Sequence, residues 1–527
     1  MQVVVPMTGR GSRFAAAGYD KIKPLIQVDG IPIIEHIVRQ FSKETDFLFV
    51  CANDHLKCTS LKEVLMKVAP TGRIVGVDYE KKGPVWAALQ AADQIKDDIP
   101  TLLHYCDFAV FWDFEEFKKT MKALGPAGCV QAYRGFHPHL LGPNKYANMR
   151  DDKGWMLEIK EKHIFSKDRF SEYSSTGAYY FQSGKLLKET FRLAVKHELL
   201  TNGEYYASTP FNLLLEQGKP VWIYEVPYFL QWGTPEDLEE YQHWSDYFRL
   251  DVFWKPIQHY PNLQILIPMV GAGTRFKQEG YQLPKPLVPV AGVPMVQRAL
   301  DSYPSGAKWV CVMREEDAVN PKIVSTVQSS GGNPKIISIE GMTEGQATTC
   351  LLGFPYLNPE DSLLIAPCDS SVIYDEFKLN FLIADQSIDC LVWTFRNHPH
   401  ANRNPNQYGW VQANRNGQIE RISCKVALGP NVKTDPGIIG IFWFRKARYF
   451  QSAAEDLIRQ NRRVNNEFYA DSAIEVLLEH GLKACLFDVH RLICFGVPQD
   501  VKTYDYWEAY FRKANNHSYG KIPCQKK

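Results

Sequence analysis

The sequence predicts two tandem α/β domains. Each is a mainly parallel mixed sheet flanked by helices, with a small antiparallel subdomain. Three observations predict this. Short β-branched or apolar runs alternate with helix-period segments, the order that builds a parallel sheet buried on both faces. A chain of 527 residues is too long for one core. One stretch occurs twice, and the repeat marks where to divide the chain. Its first copy is Val3-Val4-Val5-Pro6-Met7-Thr8-Gly9-Arg10-Gly11-Ser12-Arg13-Phe14, closed by Lys23-Pro24-Leu25. Its second is Ile265-Leu266-Ile267-Pro268-Met269-Val270-Gly271-Ala272-Gly273-Thr274-Arg275-Phe276, closed by Lys285-Pro286-Leu287.

In the first half, residues 3–5 read as a strand and 33–41 as a helix with Ile34, Ile37, Val38 and Phe41 on one face. Strands follow at 47–51, 74–77 and 101–105, with helices at 61–68 and 85–95. From Gly125 the pattern changes to antiparallel strands at 130–133, 147–150 and 155–159, with a turn at Asp151-Asp152-Lys153-Gly154. Residues 204–217 and 236–248 read as closing helices. The stretch 251–262, with Pro256 and Pro261, reads as a junction. The expected domains are therefore 1–252 and 263–527, with a linker at 253–262.

The second half retraces the first. Gly273 follows Gly11 by 262 residues (273 minus 11), as Lys285 follows Lys23 and Asp369 follows Asp107. Asn202-Gly-Glu-Tyr-Tyr returns as Asn465-Asn-Glu-Phe-Tyr, and Gly233-Thr-Pro-Glu-Asp237 as Gly496-Val-Pro-Gln-Asp500, both at an offset of 263 (465 minus 202). A tandem duplication is the expectation.

Composition excludes broad classes. With 60 Lys and Arg against 59 Asp and Glu, the chain has no basic excess for nucleic acid or a membrane surface. No apolar run is long enough for a transmembrane span. The 12 cysteines include no Cys-x-x-Cys pair, so reduced thiols in a cytoplasmic setting are expected rather than a disulfide framework or zinc site. The first strand begins at Gln2, which leaves no room for a signal peptide.

A strand that delivers Gly9-x-Gly11, with Arg13 and Lys23 close behind, suits phosphate binding. Backbone N–H groups form a nest for oxygens, and the cations add charge. A tight turn with a solvated Arg is the ordinary alternative. A dinucleotide loop would carry a third Gly or Ala where Phe14 and Phe276 stand, and a helix at once; here Arg13 and a Gly18-Tyr19 turn are expected instead. No Gly-x-x-x-x-Gly-Lys-Ser/Thr is present.

The Gly-x-Gly-x-Arg … Lys-Pro-Leu pattern resembles the nucleotidyltransferase family that includes sugar-1-phosphate nucleotidylyltransferases (NDP-sugar pyrophosphorylases). Pro6 to Phe14, Gly18-Tyr19, Lys23-Pro-Leu-Ile, Tyr105-Cys-Asp-Phe, Gly135-Phe-His-Pro-His139, Asn202 to Tyr206 and Gln231-Trp-Gly-Thr-Pro-Glu-Asp237 are similar to a bacterial branch linked to capsule and surface-polysaccharide synthesis. The resemblance covers nearly all of the first half and, more loosely, the second. It implies two Rossmann-like nucleotidyltransferase domains. It also implies Mg²⁺-dependent transfer of NMP from an NTP to a phosphorylated small molecule, a sugar 1-phosphate, with release of pyrophosphate and formation of an NDP-sugar.

The same resemblance implies roles for residues. Arg13 and Lys23, with Arg275 and Lys285 in the second half, would bind the triphosphate and stabilise its developing charge. Lys162 would hold the acceptor phosphate, with Lys425 its counterpart, and Glu161 a sugar hydroxyl. Met7, Thr8, Gly9, Gly11, Gly83 and Pro84 would contact the nucleotide, as would Met269, Gly271, Gly273, Gly345 and Gln346. Gly177, Asn202 and Glu204 would face the acceptor. Asp107 and Asp369, each after an apolar strand, would hold Mg²⁺, although an Asp there is also a common helix N-cap. The pairs His137-Pro-His139 and His398-Pro-His400 are weak as metal sites and read as loop or acceptor contacts.

The departures are specific. Many members carry an Asp two residues before Gly-Thr-Pro; Gln231 and Cys494 stand there, and neither is a good Mg²⁺ ligand. The second half has Cys424 in place of Glu161 and Val497 in place of Thr234. Its acceptor pocket must differ. Two rival functions remain: a CTP-dependent enzyme acting on a non-sugar phosphate or phosphonate, and a nucleotide sensor without turnover. A glycosyltransferase would want an acid pair, and Ala109 stands two residues after Asp107.

Overall fold

The computed structural model describes residues 1–42, 45–251, 254–331, 333–430, 432–514 and 516–521. It divides into two compact units, Met1–Gln242 and His243–Lys527. The helix Pro235–Asp251 continues through that division. The boundary expected at 252/253 lies outside the described residues.

In the first unit, Gln2–Met7 is buried at every position. It pairs in parallel with Asp46–Ala52 on one side and Thr101–His104 on the other. The described residues form a nine-stranded sheet ordered Arg73–Val77, Asp46–Ala52, Gln2–Met7, Thr101–His104, Tyr173–Phe181, Gly128–Tyr133, Val221–Glu225, Trp155–Glu161, Ala147–Asp152. The unbroken run of parallel strands ends at Thr101–His104, which meets Tyr173–Phe181 antiparallel; parallel pairing returns once, between Gly128–Tyr133 and Val221–Glu225. That reversal lets the long strand Tyr173–Phe181 carry pocket residues back over the parallel strand ends. A separate ribbon pairs Phe108–Phe111 with Tyr228–Gln231 and sets Phe108 opposite Gln231.

The second unit has the order Lys335–Ile339, Ser305–Arg314, His259–Met269, Ser362–Ile365, Gly437–Phe444, Cys390–Phe395, Ala484–Asp488, with Trp410–Ala413 and Ile419–Ser423 attached. Its ribbon pairs Ser370–Ile373 with Arg491–Cys494. The fold class is thus mixed α/β in each unit. No helix among the described residues is long and apolar enough to cross a membrane, and the described cysteines are free.

Several expected elements change. A helix does follow Gly11 at once, over Ser12–Ala16. Gly11 precedes it at φ 63, the left-handed conformation that glycine adopts without penalty. Buried Phe14 holds it down, and Tyr19 packs edge-on against that ring at 5.1 Å. Helix 33–41 stops at Val38, so Phe41 turns away to pack on Phe47 and Phe114. Helix 85–95 is Pro84–Gln90 followed by a 3-10 turn, Ala92–Gln94. Helix 204–217 shrinks to Phe211–Glu216. Residues before it are tied elsewhere: Thr201 bridges Glu204, and the Tyr205 N–H donates to the Lys82 carbonyl at 2.8 Å.

Phe181 is fully buried against Phe191 and Phe211, with ring centroids at 5.4 and 4.9 Å. Phe181→Ala should destabilise the first unit by about 3–5 kcal/mol. Denaturant unfolding followed by circular dichroism checks this; a change under about 1 kcal/mol would show that the site repacks without a cavity.

Candidate active site

The parallel strands of the first unit end where the glycine loop, the Lys23-Pro24-Leu25 turn and the 105–107 loop converge. Lys23 Nζ lies 3.0 Å from Asp107 Oδ2, with side-chain exposures of 18% and 26%. Burial pulls the Lys23 ammonium down, and the Asp107 charge and hydrogen bond more than offset it, leaving the pKa above the usual lysine value. The Asp107 carbonyl accepts from the Trp232 N–H at 2.9 Å. The pair therefore joins three chain segments. Asp107 sits in a loop between two strands and is not a helix cap.

A cavity of about 370 Å³ opens beside this pair. Arg13, Asp107, Glu161, Lys162 and Gly177, all singled out by the sequence, line it. Tyr105, Ser175, Thr176, Tyr179 and Tyr206 line it too, and sequence reasoning missed them as site residues. Ser175, Thr176 and Tyr179 stand on the buried strand Tyr173–Phe181, where a polar residue is masked by its apolar neighbours; Tyr105 and Tyr206 lie in loops. Glu161 accepts a hydrogen bond from Ser208, and burial raises its carboxyl above the ordinary range, with Ser208 and Lys162 opposing. Lys162 follows at φ 54, a backbone strained for lysine, with its ammonium 5.5 Å from the Tyr206 ring centroid.

Gln231 bears on the missing Asp. Its Nε2 donates to Asp237 Oδ2 at 2.7 Å, and Asp237 also accepts from Thr234 and pairs with Lys145 at 3.2 Å. A carboxylate needs a donor, so this contact fixes which end of the amide faces Asp237. The Gln231 amide oxygen is left buried without a hydrogen-bond partner. The Asp237 role was legible only as a repeated Asp, three residues into a helix, that returns as Asp500.

Gly83 stands at φ 88 before Pro84–Gln90, and a Cβ there would meet the Tyr205 carbonyl at 2.8 Å and its N–H nitrogen at 2.9 Å. The Val85 N–H donates to the Tyr205 carbonyl while Tyr205 donates to Lys82. Asn202, at φ 52, and Glu204 lie in the turn beside Gly83 rather than in the cavity wall. His137 and His139 lie in the loop after Gly128–Tyr133, His139 in its short 3-10 turn Pro138–Leu141. His137 is buried and His139 half-buried; they pack with Tyr133, Tyr146 and Phe229, and His139 Nε2 lies 2.8 Å from the Tyr133 hydroxyl. Met7 ends the buried strand; Thr8 and Gly9 follow it.

The second unit repeats much of this. Lys285 pairs with Asp369 at side-chain exposures of 18% and 24%. Gly273 stands at φ 63 before the helix Thr274–Gln278, which carries Arg275; Met269 ends the strand before Gly271. Gly345, at φ 134, precedes the helix Gln346–Leu351, and a Cβ on it would lie 2.5 Å from the Phe468 backbone. Phe468 N–H donates to the Glu344 carbonyl at 2.8 Å, and Ala347 N–H to that of Phe468 at 2.9 Å. Lys425 stands at φ 61. Around Cys494 the chemistry differs. Burial raises Asp500 to about 7 and lowers His400 to about 4, so their 3.2 Å contact is a hydrogen bond more than an ion pair.

No family model matches the chain, and no curated protein matches it. Solved structures do. A nucleoside-diphosphate-sugar pyrophosphorylase from Vibrio cholerae is 20% identical over 46% of this chain and 99% of its own, with a TM-score of 0.38. An inositol-1-phosphate CTP transferase from T. maritima is 14% identical over 48% of this chain and 96% of its own, with a TM-score of 0.37. A UDP-glucose pyrophosphorylase in complex with UDP-glucose is 14% identical over 46% and 96%, with a TM-score of 0.37.

His104 lies under the site, stacked on Phe108 at 4.2 Å, and burial lowers its pKa to about 4. A lowered histidine pKa favours the folded state above the unfolded value near 6.5 and loses that contribution as pH falls toward 4. Stability of the first unit should fall between pH 6.5 and 4 by up to about 1.4 kcal/mol per pH unit for this residue. Denaturation midpoints across that range should show a shallower slope in His104→Gln; an unchanged slope would mean His104 binds a proton without cost.

Proposed function

We propose that the first unit is a nucleotidyltransferase that moves NMP from an NTP to a sugar 1-phosphate and releases pyrophosphate, and that the second unit is its tandem copy. The observation that carries this reading is the Lys23–Asp107 pair, held beside a glycine loop at the parallel strand ends and facing a polar cavity. Lys285–Asp369 repeats it. A Cβ built on Gly9 meets nothing within 4 Å, and Gly9 is not at a positive φ. Neither sterics nor backbone conformation demands glycine there; close approach of a phosphate does.

The division of labour follows from position. The loop 8–11 would bind the triphosphate through backbone N–H groups, with Arg13 and Lys23 neutralising charge that builds on the leaving pyrophosphate. Lys162 would hold the acceptor phosphate for in-line attack on the α-phosphorus. Glu161, with Ser208, would accept from an acceptor hydroxyl. No covalent intermediate is needed; positioning and charge supply the rate.

The residues of the first unit fit a magnesium ion. Asp107, just before the strand Phe108–Phe111, and the unpartnered Gln231 oxygen, opposite Phe108, are hard donors, and Mg²⁺ commonly takes one or two protein oxygens with phosphates and water completing its shell. Bound there, the ion would offset triphosphate charge. In the second unit Cys494, a thiol, takes the place of the Gln231 oxygen beside Asp369. Among the described residues no group of three His, Cys, Asp or Glu could hold a metal alone.

The test is pyrophosphate release, with the four NTPs crossed against sugar 1-phosphates, aminoalkyl phosphates and phosphonates. Asp107→Asn and Lys23→Ala should each cut turnover at least about 100-fold with folding intact, and Gly9→Ala should raise the NTP KM. Loss with Asp107→Asn alone assigns turnover to the first unit, and separate losses with Asp107→Asn and Asp369→Asn assign it to both. NTP binding without pyrophosphate from any pair would overturn transfer in favour of a sensor.

A further inference from the structure

The acceptor-side positions of the two units differ as a coordinated set. Among the hydroxyl side chains that line the cavity of the first unit are Tyr105, Ser175, Thr176 and Tyr179, beside Glu161. Ser175 donates to the Tyr179 hydroxyl at 2.9 Å, and Ser208 to Glu161. The matching residues of the second unit are Pro367, Ile438, Ile439 and Phe442. All four of these hydroxyls are gone, while Tyr408 and Tyr469 keep those of Tyr146 and Tyr206.

The carboxylate has also changed position. Glu161 is replaced by Cys424, which follows the strand Ile419–Ser423; Ser208 is replaced by Asp471, in the first turn of the helix Ala470–Glu479. Room for Asp471 is made across from it. Ala147 of the first unit corresponds to Gly409, and a Cβ on Gly409 would sit 2.4 Å from Asp471 Oδ2 and 2.9 Å from Ile438 Cδ1. Gly409 is not at a positive φ, so what a side chain there would disturb is the placement of the Asp471 carboxylate and the Ile438 methyl, not the backbone. Asp471 is only 8% exposed. The phosphate-side lysine keeps its place, with Lys425 Nζ 5.4 Å from the Tyr469 ring as Lys162 is 5.5 Å from Tyr206, and Lys425 donates to the Gln407 carbonyl.

A sugar phosphate in the second unit would bury hydroxyls against isoleucine and phenylalanine, which leaves them unpaired at a cost of about 1–3 kcal/mol each. A buried carboxylate in an apolar wall is best matched by one cation. We propose that Asp471 sets acceptor specificity in the second unit, which takes a phosphate or phosphonate monoester with an apolar body ending in one amine. This rests on the nucleotidyl-transfer reading for its reaction, but its binding claim stands separately.

Calorimetry on the full chain, with a non-hydrolysable NTP analogue present, tests it using 2-aminoethyl phosphate and glucose 1-phosphate as probes. The amine probe should bind, weaken at least tenfold in Asp471→Asn, and be unaffected by Glu161→Gln; glucose 1-phosphate should show the reverse. The double variant Gly409→Ala/Asp471→Ser installs the pair the first unit carries, and should lose the amine probe while keeping the wild-type melting transition. It replaces Asp471→Asn if that variant does not fold. No amine binding, binding indifferent to Asp471, or loss through Glu161→Gln would overturn the proposal. If this binding pattern holds while no pair releases pyrophosphate, transfer fails and the acceptor assignment stands. If pyrophosphate forms but the probes respond to the opposite carboxylates, only the acceptor assignment fails.

Discussion

A lysine and an aspartate brought out of water at the ends of parallel strands fix the geometry on which the rest depends. Lys23 and Asp107 come from segments 84 residues apart. Their contact sets the distance between the glycine loop and the strand-end loop, and the Asp107 backbone anchors Trp232 from a third segment. A part-buried ion pair adds little net stability, since the cost of desolvating both groups offsets their attraction. Its value is prearranged charge. A cation and a carboxylate oxygen already face the place where a triphosphate would lie, so little needs to reorganise on binding.

The parallel half of each sheet was legible in the sequence because its signals are local. Runs such as 3–5 and 47–51 are apolar throughout, and only a strand buried on both faces explains that. Lys23, Asp107, Arg13 and Lys162 could be read because each stands at a fixed spacing from a glycine or a strand end. The tyrosines and serines of the cavity wall could not. Tyr179 and Ser175 alternate with core residues on a strand buried at every position, and nothing local separates a buried hydroxyl that lines a cavity from one that fills a core. Helix ends were misplaced where a distant partner decided them, as at Tyr205, whose backbone is held by residues 82–85.

The halves keep the glycine loop and its lysines and change the wall around Glu161. Gly11 and Gly273, Lys23 and Lys285, and Lys162 and Lys425 occupy equivalent backbone conformations or contacts. Glu161 with Ser208 gives way to Cys424 with Asp471, and Gln231 to Cys494. Asp237 and Asp500 both survive but serve different neighbours: one orients an amide and meets a lysine, the other meets a histidine and a thiol.

The two backbone hydrogen bonds between Tyr205 and residues 82–85, closed over by Gly83, have a mechanical consequence. They clip the turn expected to meet the base onto the loop that carries Tyr206 into the cavity, and the second unit has the same clip between Phe468 and residues 344–347. The contact is too tight to slide, because even one methyl group at Gly83 would collide with the Tyr205 backbone. The two loops therefore travel as one piece. A backbone change in either loop is thereby handed to the other, a coupling between residues 82–85 and 205 that neither stretch of sequence carries alone.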